Sequence, residues 1–209
     1  MPRLLLVRHG QTELSEEPRF WGQTDIALSE HGVAQAQRLR ERLRPVKFAA
    51  VYASDLKRTV TTAKIILGKR KTEITPCAEL REVSFGQLEG LTFDEIGKLY
   101  PDLVADLEMW RVSPRFPGGE SIPELDARLE RFLPRLDAHA EGGTVLVVAH
   151  GGSLRRLLCH LMQLENEHWN QLRIDLASLS ILDVFPEAEL AVLSLLNDTS
   201  HLAITGGLS

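Results

Sequence analysis

Histidine, arginine and glycine follow apolar runs at three places in the chain. An Arg-His-Gly segment, Arg8–Gly10, comes after the run Leu4–Val7, and a His-Gly-Gly segment, His150–Gly152, comes after the run Thr144–Ala149. Arg58 lies shortly after a third apolar run. Guanidinium groups match phosphate oxygens with paired hydrogen bonds, glycine allows close backbone approach, and a helix N-terminus offers free N–H groups. The three segments therefore indicate a site for a phosphate dianion.

Either histidine of these segments has the chemistry to attack phosphorus. An imidazole acts as a nucleophile when its attacking nitrogen is unprotonated and its other nitrogen donates a hydrogen bond. Residue types alone leave His9 and His150 as equal candidates. Structural roles are expected for the remaining histidines, which are His31, His139, His160, His168 and His201.

Hydrophobic periodicity predicts the strands that position these groups. Three runs, Arg3–Val7, Ala49–Ala53 and Thr144–Ala149, are apolar and nearly free of charge, which is typical of buried central strands. Helical patterns alternate with them, so we expect an α/β three-layer sandwich, a mostly parallel mixed sheet with helices on both faces. Ligands of such sheets bind at the carboxyl ends of the strands. The three polar segments should therefore meet at one edge.

Capping signals predict where the helices begin. Ser54 is expected to cap a helix over Asp55–Leu67, a second helix begins near Ser29, and a third runs from about Ser153 to Leu164.

The second half of the chain contains a capping box and a hairpin pattern. The box starts at Ser121 and opens a helix that Pro134 should kink or end before about residue 140. Two strand-like runs, Ser178–Phe185 and Leu190–Leu196, predict a terminal hairpin, which makes the sheet mixed. Since no repeat or flexible linker interrupts the pattern, a single domain over residues 1–209 is expected.

Composition excludes several classes of partner. The chain has 209 residues, 44% of them hydrophobic, and a net charge of −5, which gives no reason to expect nucleic acid. Its apolar runs are too short for a signal-peptide core or a membrane span, so a cytoplasmic location is expected, without a membrane partner. Cys77 and Cys159 lack metal-ligand spacing and are expected to be reduced, buried thiols.

Paired histidines could instead bind a metal ion. The sequence has no His-x-His, His-Glu-x-x-His or aspartate-rich cluster, and two nearby arginines would repel a divalent cation. We therefore expect no metal and no other cofactor.

Six segments in chain order resemble the signatures of one family. The match covers nearly the whole chain, which makes it more specific than any single tripeptide. The family is the histidine phosphatase superfamily, also called phosphoglycerate mutase-like, and the segments are Leu6–Thr12, Gly22–Gly32, Ser54–Ala63, Leu80–Gly90, Val148–Gly152 and Asn197–Leu202.

The resemblance implies a role for each site residue. It implies that His9 is the nucleophile that becomes phosphohistidine, and that Arg8, Arg58 and His150 surround the phosphoryl group. It also implies that Glu82 protonates the leaving oxygen and then activates water. For that role we expect the Glu82 carboxyl to be partly buried or to lie beside phosphate charge.

Substrate contacts are implied for three further positions, Ser15, Gln23 and Gly151. Ser15 stands where many members have asparagine and reaches less far. Five other residues are candidates for the substrate side of the site, although packing or surface charge would account for them equally well: Arg19, Phe20, Trp21, Arg81 and Trp110.

The family contains both mutases and phosphatases. Mutases carry a longer, basic insertion after the acidic motif, whereas the span Leu91–Gly118 is short and its charges are mixed. The run Phe116–Ser121 resembles phosphatase members, including α-ribazole phosphatases and broad-specificity phosphatases. We therefore expect hydrolysis of a small phosphorylated metabolite, and a homodimer is left open.

Two alternatives remain. One is phosphoglycerate mutase-type phosphoryl transfer, and the other is a non-catalytic module that binds a phosphate ligand. The intact set of His9, Arg58, Glu82 and His150 argues against a pure binder, which needs neither a nucleophile nor an acid.

Overall fold

A six-stranded sheet forms the middle layer of the protein. The computed structural model describes residues 2–14, 17–108, 115–139 and 142–203. Its elements, in chain order, are β1 (Pro2–Arg8), α1 (Glu30–Arg42), β2 (Ala50–Ser54), α2 (Lys57–Leu67), β3 (Ile74–Cys77), α3 (Phe93–Leu99), α4 (Pro101–Glu108), α5 (Ile122–Glu130), α6 (Pro134–Asp137), β4 (Gly143–Ala149), α7 (Gly151–Leu161), β5 (Leu179–Phe185) and β6 (Leu190–Asp198).

The sheet is mixed and mostly parallel, as predicted. The strand order is β3-β2-β4-β1-β5-β6. β3, β2, β4 and β1 run parallel to one another, whereas β5 is antiparallel to both of its neighbours. The three runs predicted as central strands are β1, β2 and β4, and the predicted hairpin is β5–β6. Apolar side chains on both faces explain their central position, because a strand buried on both sides has no polar face.

Side chains alternate between two apolar layers along each central strand. Leu4 and Leu6 of β1 pack on one face with α5 and α7, while Leu5 and Val7 pack on the other face with α1 and α2. This period of two is the geometry of an extended strand. The three-layer α/β prediction is therefore confirmed.

Two of the predicted helix starts hold and a third is wrong. Ser29 caps α1 by accepting a hydrogen bond from Gly32 N–H, and Ser121 forms the predicted capping box. Ser54, by contrast, does not cap α2. It is still the last residue of β2, and its hydroxyl reaches only the N–H of Leu56. The chain makes a turn first, so α2 begins at Lys57.

Two helix ends also differ from the periodicity. α5 stops at Glu130, and Pro134 begins the separate short helix α6, because proline lacks the N–H that would continue a helix. α7 starts two residues earlier than expected, directly after β4. It ends at Leu161 because Gln163 takes a left-handed backbone conformation, which is typical just past a helix end.

The described residues include no helix with the length and apolarity needed to cross a bilayer. Cys77 and Cys159 are buried free thiols, as expected.

Candidate active site

The two candidate histidines follow adjacent parallel strands. β1 pairs with β4 in a register that sets Arg8 beside Ala149, so the next residues, His9 and His150, leave the sheet at the same level. The N–H of His9 donates to the carbonyl of Ala149 at 3.1 Å. Their ring centroids are 5.1 Å apart, with an edge-on angle of 62°. Strand register alone therefore brings residues 141 positions apart into contact.

The hydrogen bonds of His9 assign its tautomer. Nδ1 lies 2.7 Å from the carbonyl oxygen of Gly10, which can only accept, so Nδ1 carries the proton. The lone pair of a neutral ring is then on Nε2. Burial and the positive charges of Arg58 and Arg8 hold the pKa of His9 well below its usual value, so the ring is neutral. These are the two conditions for a nucleophilic imidazole.

His150 has the opposite tautomer. Its Nδ1 accepts a hydrogen bond from Nε–H of Arg58 at 3.2 Å, so in the neutral ring the proton is on Nε2. Burial and the charge of Arg58 hold the pKa of His150 well below its usual value. Its Nε2 is buried and, among the described residues, has no hydrogen-bond partner. His150 is therefore arranged as a donor rather than as an attacking base.

Arg58 is 2% exposed and makes contacts on three sides. Besides Nε, its Nη1 donates to the carbonyl of Thr24 at 2.7 Å and its Nη2 to the carbonyl of Gly22 at 2.5 Å. Glu89 accepts the N–H groups of Gly22, Gln23 and Thr24 at 2.8 to 3.1 Å. The loop formed by residues 22–24 is thus bound by Arg58 through its carbonyl groups and by Glu89 through its N–H groups.

Glu82 lies at the N-terminus of α7. Its Oε2 accepts from the N–H of Gly152 at 2.9 Å, and its Oε1 accepts from the N–H groups of Ser153 and Val83, each at 3.0 Å. The side chain is partly buried, as expected. The expectation that helix N–H groups are free for phosphate is wrong for Gly152 and Ser153, because the Glu82 carboxylate occupies them.

Arg128 of α5 fixes the backbone around Glu82. Its guanidinium donates to the carbonyls of Glu79, Arg81 and Glu82 at 2.8 to 3.1 Å, and it pairs with Glu120 through two hydrogen bonds of 2.8 Å. Residue patterns missed Arg128 and Glu89. Both side chains bind the backbone of a polar loop that is distant in the sequence, and such contacts produce no periodic pattern. The one available signal for Glu89 was its place as an acidic residue in the matched segment Leu80–Gly90.

Arg8 lies against the turn that starts α7. Its Nη1 donates to the carbonyl of Ile174 at 2.7 Å, while its buried Nε has no hydrogen-bond partner in the described part of the chain. A Cβ at Gly151 would lie 3.3 Å from the guanidinium carbon, so glycine there lets Arg8 pack close to the backbone.

A cleft of about 180 Å³ opens over these groups. Of the residues assigned to the phosphoryl group, Arg8, His9, Arg58 and Glu82 line it, and His150 lies beneath against His9. The remaining lining residues are Thr12, Glu17, Pro18, Arg19, Trp21, Ile26 and Leu176.

Three other residues expected to contact substrate do not line the cleft and contact other parts of the protein instead. Gln23 is not part of the cleft lining and donates its side-chain amide to the carbonyl of Glu82 at 3.2 Å. Arg81 pairs with Asp55 at 2.7 Å, and Phe20 packs edge-on against Phe85. Ser15 and Trp110 fall outside the described residues.

Among the described residues, no group of three or more histidine, cysteine, aspartate or glutamate side chains has an arrangement that could hold a metal ion.

The depressed histidine pKa values predict a loss of stability in mild acid. Below about pH 6.5 the unfolded chain protonates these rings while the folded protein keeps them neutral. Because the unfolded state then binds more protons, each histidine lowers the free energy of unfolding by up to about 1.4 kcal/mol per pH unit as the pH falls. Urea denaturation between about pH 5 and pH 7 measures this slope.

A histidine substitution tests the assignment. His9→Asn should reduce the slope by up to about 1.4 kcal/mol per pH unit, whereas His31→Asn, at an exposed position of α1, should leave it unchanged. Equal slopes for the wild type and His9→Asn would contradict a neutral, buried His9.

The comparisons with known proteins agree with this fold. A family model described as histidine phosphatase superfamily (branch 1) matches residues 4–199, and the chain belongs to that superfamily. Family and relatives together make it an enzyme of the phosphatase class.

The relatives carry several activity names. The chain is 38% identical over 157 residues to phosphoglycerate mutase-like protein 4 of Arabidopsis thaliana, covering 74% of this chain and 68% of that protein. It is 31% identical over 205 residues to phosphoserine phosphatase 1 of Hydrogenobacter thermophilus, covering 97% and 95%. The crystal structure of the α-ribazole phosphatase from Shigella flexneri superposes with a TM-score of 0.85 at 29% identity, covering 94% and 96%. Three related proteins from Mycobacterium bovis and Mycobacterium tuberculosis, each 37% identical over 202 residues, are longer, and the chain spans 55% of their length.

Proposed function

We propose that the protein is a metal-independent phosphomonoesterase that hydrolyses a small phosphorylated metabolite through a phosphohistidine on His9. The observation that carries the proposal is the pair of hydrogen bonds that assigns opposite tautomers to His9 and His150. Nδ1–H of His9 is bound to the Gly10 carbonyl, which leaves the Nε2 lone pair at the cleft. His150 would have to exchange its tautomer to attack, and its Nδ1–H would then face Nε–H of Arg58.

In the first step Nε2 of His9 attacks phosphorus. The P–N bond forms as the ester P–O bond breaks, and the leaving oxygen takes a proton from Glu82. General acid catalysis of this kind contributes about 10² to 10⁴ in rate.

In the second step water attacks the phosphohistidine. Ionised Glu82 removes a proton from the water as the new P–O bond forms, and the electron pair of the breaking P–N bond returns to Nε2. The products are the free alcohol and inorganic phosphate, and both His9 and Glu82 recover their starting protonation states.

Three fixed groups stabilise the transferring phosphoryl oxygens in this scheme. Arg8 and Arg58 supply positive charge, and the unpartnered Nε2–H of His150 supplies a neutral donor. Such groups need no reorganisation during transfer, which is why preorganised donors lower the barrier. The charges of the buried Arg58 and the partly buried Arg8 also keep the ring of the nucleophile neutral.

Glu82→Gln tests the acid–base role. We expect kcat on an alkyl phosphate, whose alkoxide leaves poorly, to fall by about 10² to 10⁴. On para-nitrophenyl phosphate the first step needs no acid, so a burst of nitrophenol followed by slow turnover is expected because the second step still lacks its base. Rapid-mixing absorbance measures the burst. Full turnover of the alkyl phosphate by Glu82→Gln would remove Glu82 from the mechanism.

Substrate and metal requirements need separate assays. Activity in the presence of a chelator should equal activity without it, and loss of activity that an added divalent cation restores would contradict metal independence. A panel with α-ribazole phosphate, phosphoserine and phosphoglycerates, scored for inorganic phosphate and for isomerised phosphoglycerate, separates hydrolysis from mutase transfer.

A further inference from the structure

The outer part of the cleft contains the residues that would contact a leaving group. We define the outer cleft as the lining residues that do not surround the phosphoryl site. These residues are Thr12, Glu17, Pro18, Arg19, Trp21, Ile26 and Leu176.

Arg19 is the only cation of the outer cleft among the described residues, and its guanidinium is already bound. Nε and Nη2 donate to Oε2 of Glu17 at 2.9 and 2.6 Å. Nη1 donates to Oε2 of Glu95 at 3.0 Å and to the carbonyl of Gly90 at 2.6 Å. Two carboxylates therefore neutralise one guanidinium, and this trio has a net charge of −1.

A second anionic group on a substrate would meet unfavourable electrostatics here. To bind it, Arg19 would have to release Glu17 or Glu95, and the released carboxylate would lie beside the incoming anion. The released carboxylate and the neighbouring anion of the substrate would repel each other, and the repulsion increases at low ionic strength. The opposite holds at the phosphoryl end, where neither Arg8 nor Arg58 has a direct carboxylate partner among the described residues.

The remaining outer surface is apolar or aromatic. Pro18 and Leu176 offer hydrocarbon, the buried Ile26 adds little surface, and Trp21 offers an indole whose N–H already donates to the carbonyl of Leu14 at 3.2 Å. Removing apolar surface from water is favourable. These residues therefore favour a leaving group with its own apolar face, which would cover them.

We propose that the outer cleft selects phosphomonoesters with an uncharged, partly apolar leaving group and disfavours those that carry a carboxylate or a second phosphate. This inference rests on the proposed hydrolysis and assigns Glu17 as a specificity-determining residue. It also argues against a phosphoglycerate as the preferred substrate, since that leaving group is anionic.

A matched substrate pair tests the inference. Para-(carboxymethyl)phenyl phosphate and its methyl ester differ in charge far from phosphorus. We expect kcat/KM for the ester to exceed that for the acid by at least about tenfold at low salt, with a smaller ratio at high salt. Glu17→Lys should bring the ratio to one or below, whereas Glu41→Lys, an equal charge change on α1, should not move it.

The outcomes separate the two proposals. A wild-type ratio of one or less, or a ratio that Glu17→Lys does not change, overturns the selectivity. If neither compound is hydrolysed, the proposed function fails, and calorimetry with the corresponding benzylphosphonates still tests the selectivity through binding. Tighter binding of the ester would support it, and equal or weaker binding would overturn it.

Discussion

His9→Asn is expected to lower kcat by at least about 10³-fold and to abolish the phosphoenzyme, because His9 is the only histidine among the described residues that line the cleft. His150→Asn should also lower kcat but still form a phosphoenzyme, since it removes a donor and leaves the nucleophile intact. Its amide oxygen can still accept from Nε–H of Arg58. Brief mixing with radiolabelled para-nitrophenyl phosphate, followed by denaturation, measures the trapped phosphate.

The chemistry of the trapped bond identifies the nucleophile. Phosphohistidine is labile in acid and stable in base, whereas phosphoserine has the opposite behaviour. Circular dichroism of both variants controls for folding. Label retained by His9→Asn and lost from His150→Asn would exchange the two roles and refute the tautomer argument.

Gly152→Ala is expected to reduce kcat/KM by about 10²-fold without loss of stability. A Cβ at this position would lie far inside van der Waals contact with Oε1 of Glu82, 3.2 Å from its Cδ. The carboxylate must therefore move away from the α7 amides. Alanine is a better helix former than glycine by about 1 kcal/mol, which offsets the loss of about 1 kcal/mol that the helix incurs when Glu82 no longer caps the α7 amides.

Gly97→Ala is the matched control, because it makes the same substitution inside α3. Its new Cβ would lie 3.9 Å from Val104 Cγ2, an ordinary contact, so we expect wild-type kcat/KM. Steady-state kinetics and thermal unfolding of both variants give the comparison. A Gly152→Ala enzyme with wild-type kcat/KM would show that Glu82 does not need its position at α7.

The sequence predicted the sheet and the meeting of His9, Arg58 and His150 well, for a physical reason. Strands buried on both faces need long apolar runs, and parallel strands place the residues that follow them at one edge. Polar segments after such runs are therefore fixed in space by a signal that is readable along the chain. The family resemblance then named Glu82, which periodicity could not select.

The side-chain contacts that fix the backbone around the site could not be predicted from apolar runs. Glu89 and Arg128 bind backbone groups far away in the chain, and nothing in their own sequence neighbourhood specifies those partners. Ser54 shows the converse error. Its residue type favours a helix cap, but the pairing of β2 with β3 keeps it extended, so tertiary structure overrides a local preference.

The turn His150–Ser153 carries two chemical groups of the site at once, the ring of His150 and, through its amides, the carboxylate of Glu82. A substitution there alters both, so it offers evolution little freedom. The segment Glu17–Trp21 is joined instead to Gly90 and Leu91, and in the proposed scheme it contacts the leaving group alone. Under that proposal, variation in the segment can change which phosphorylated compounds bind while the residues around the phosphoryl group stay the same.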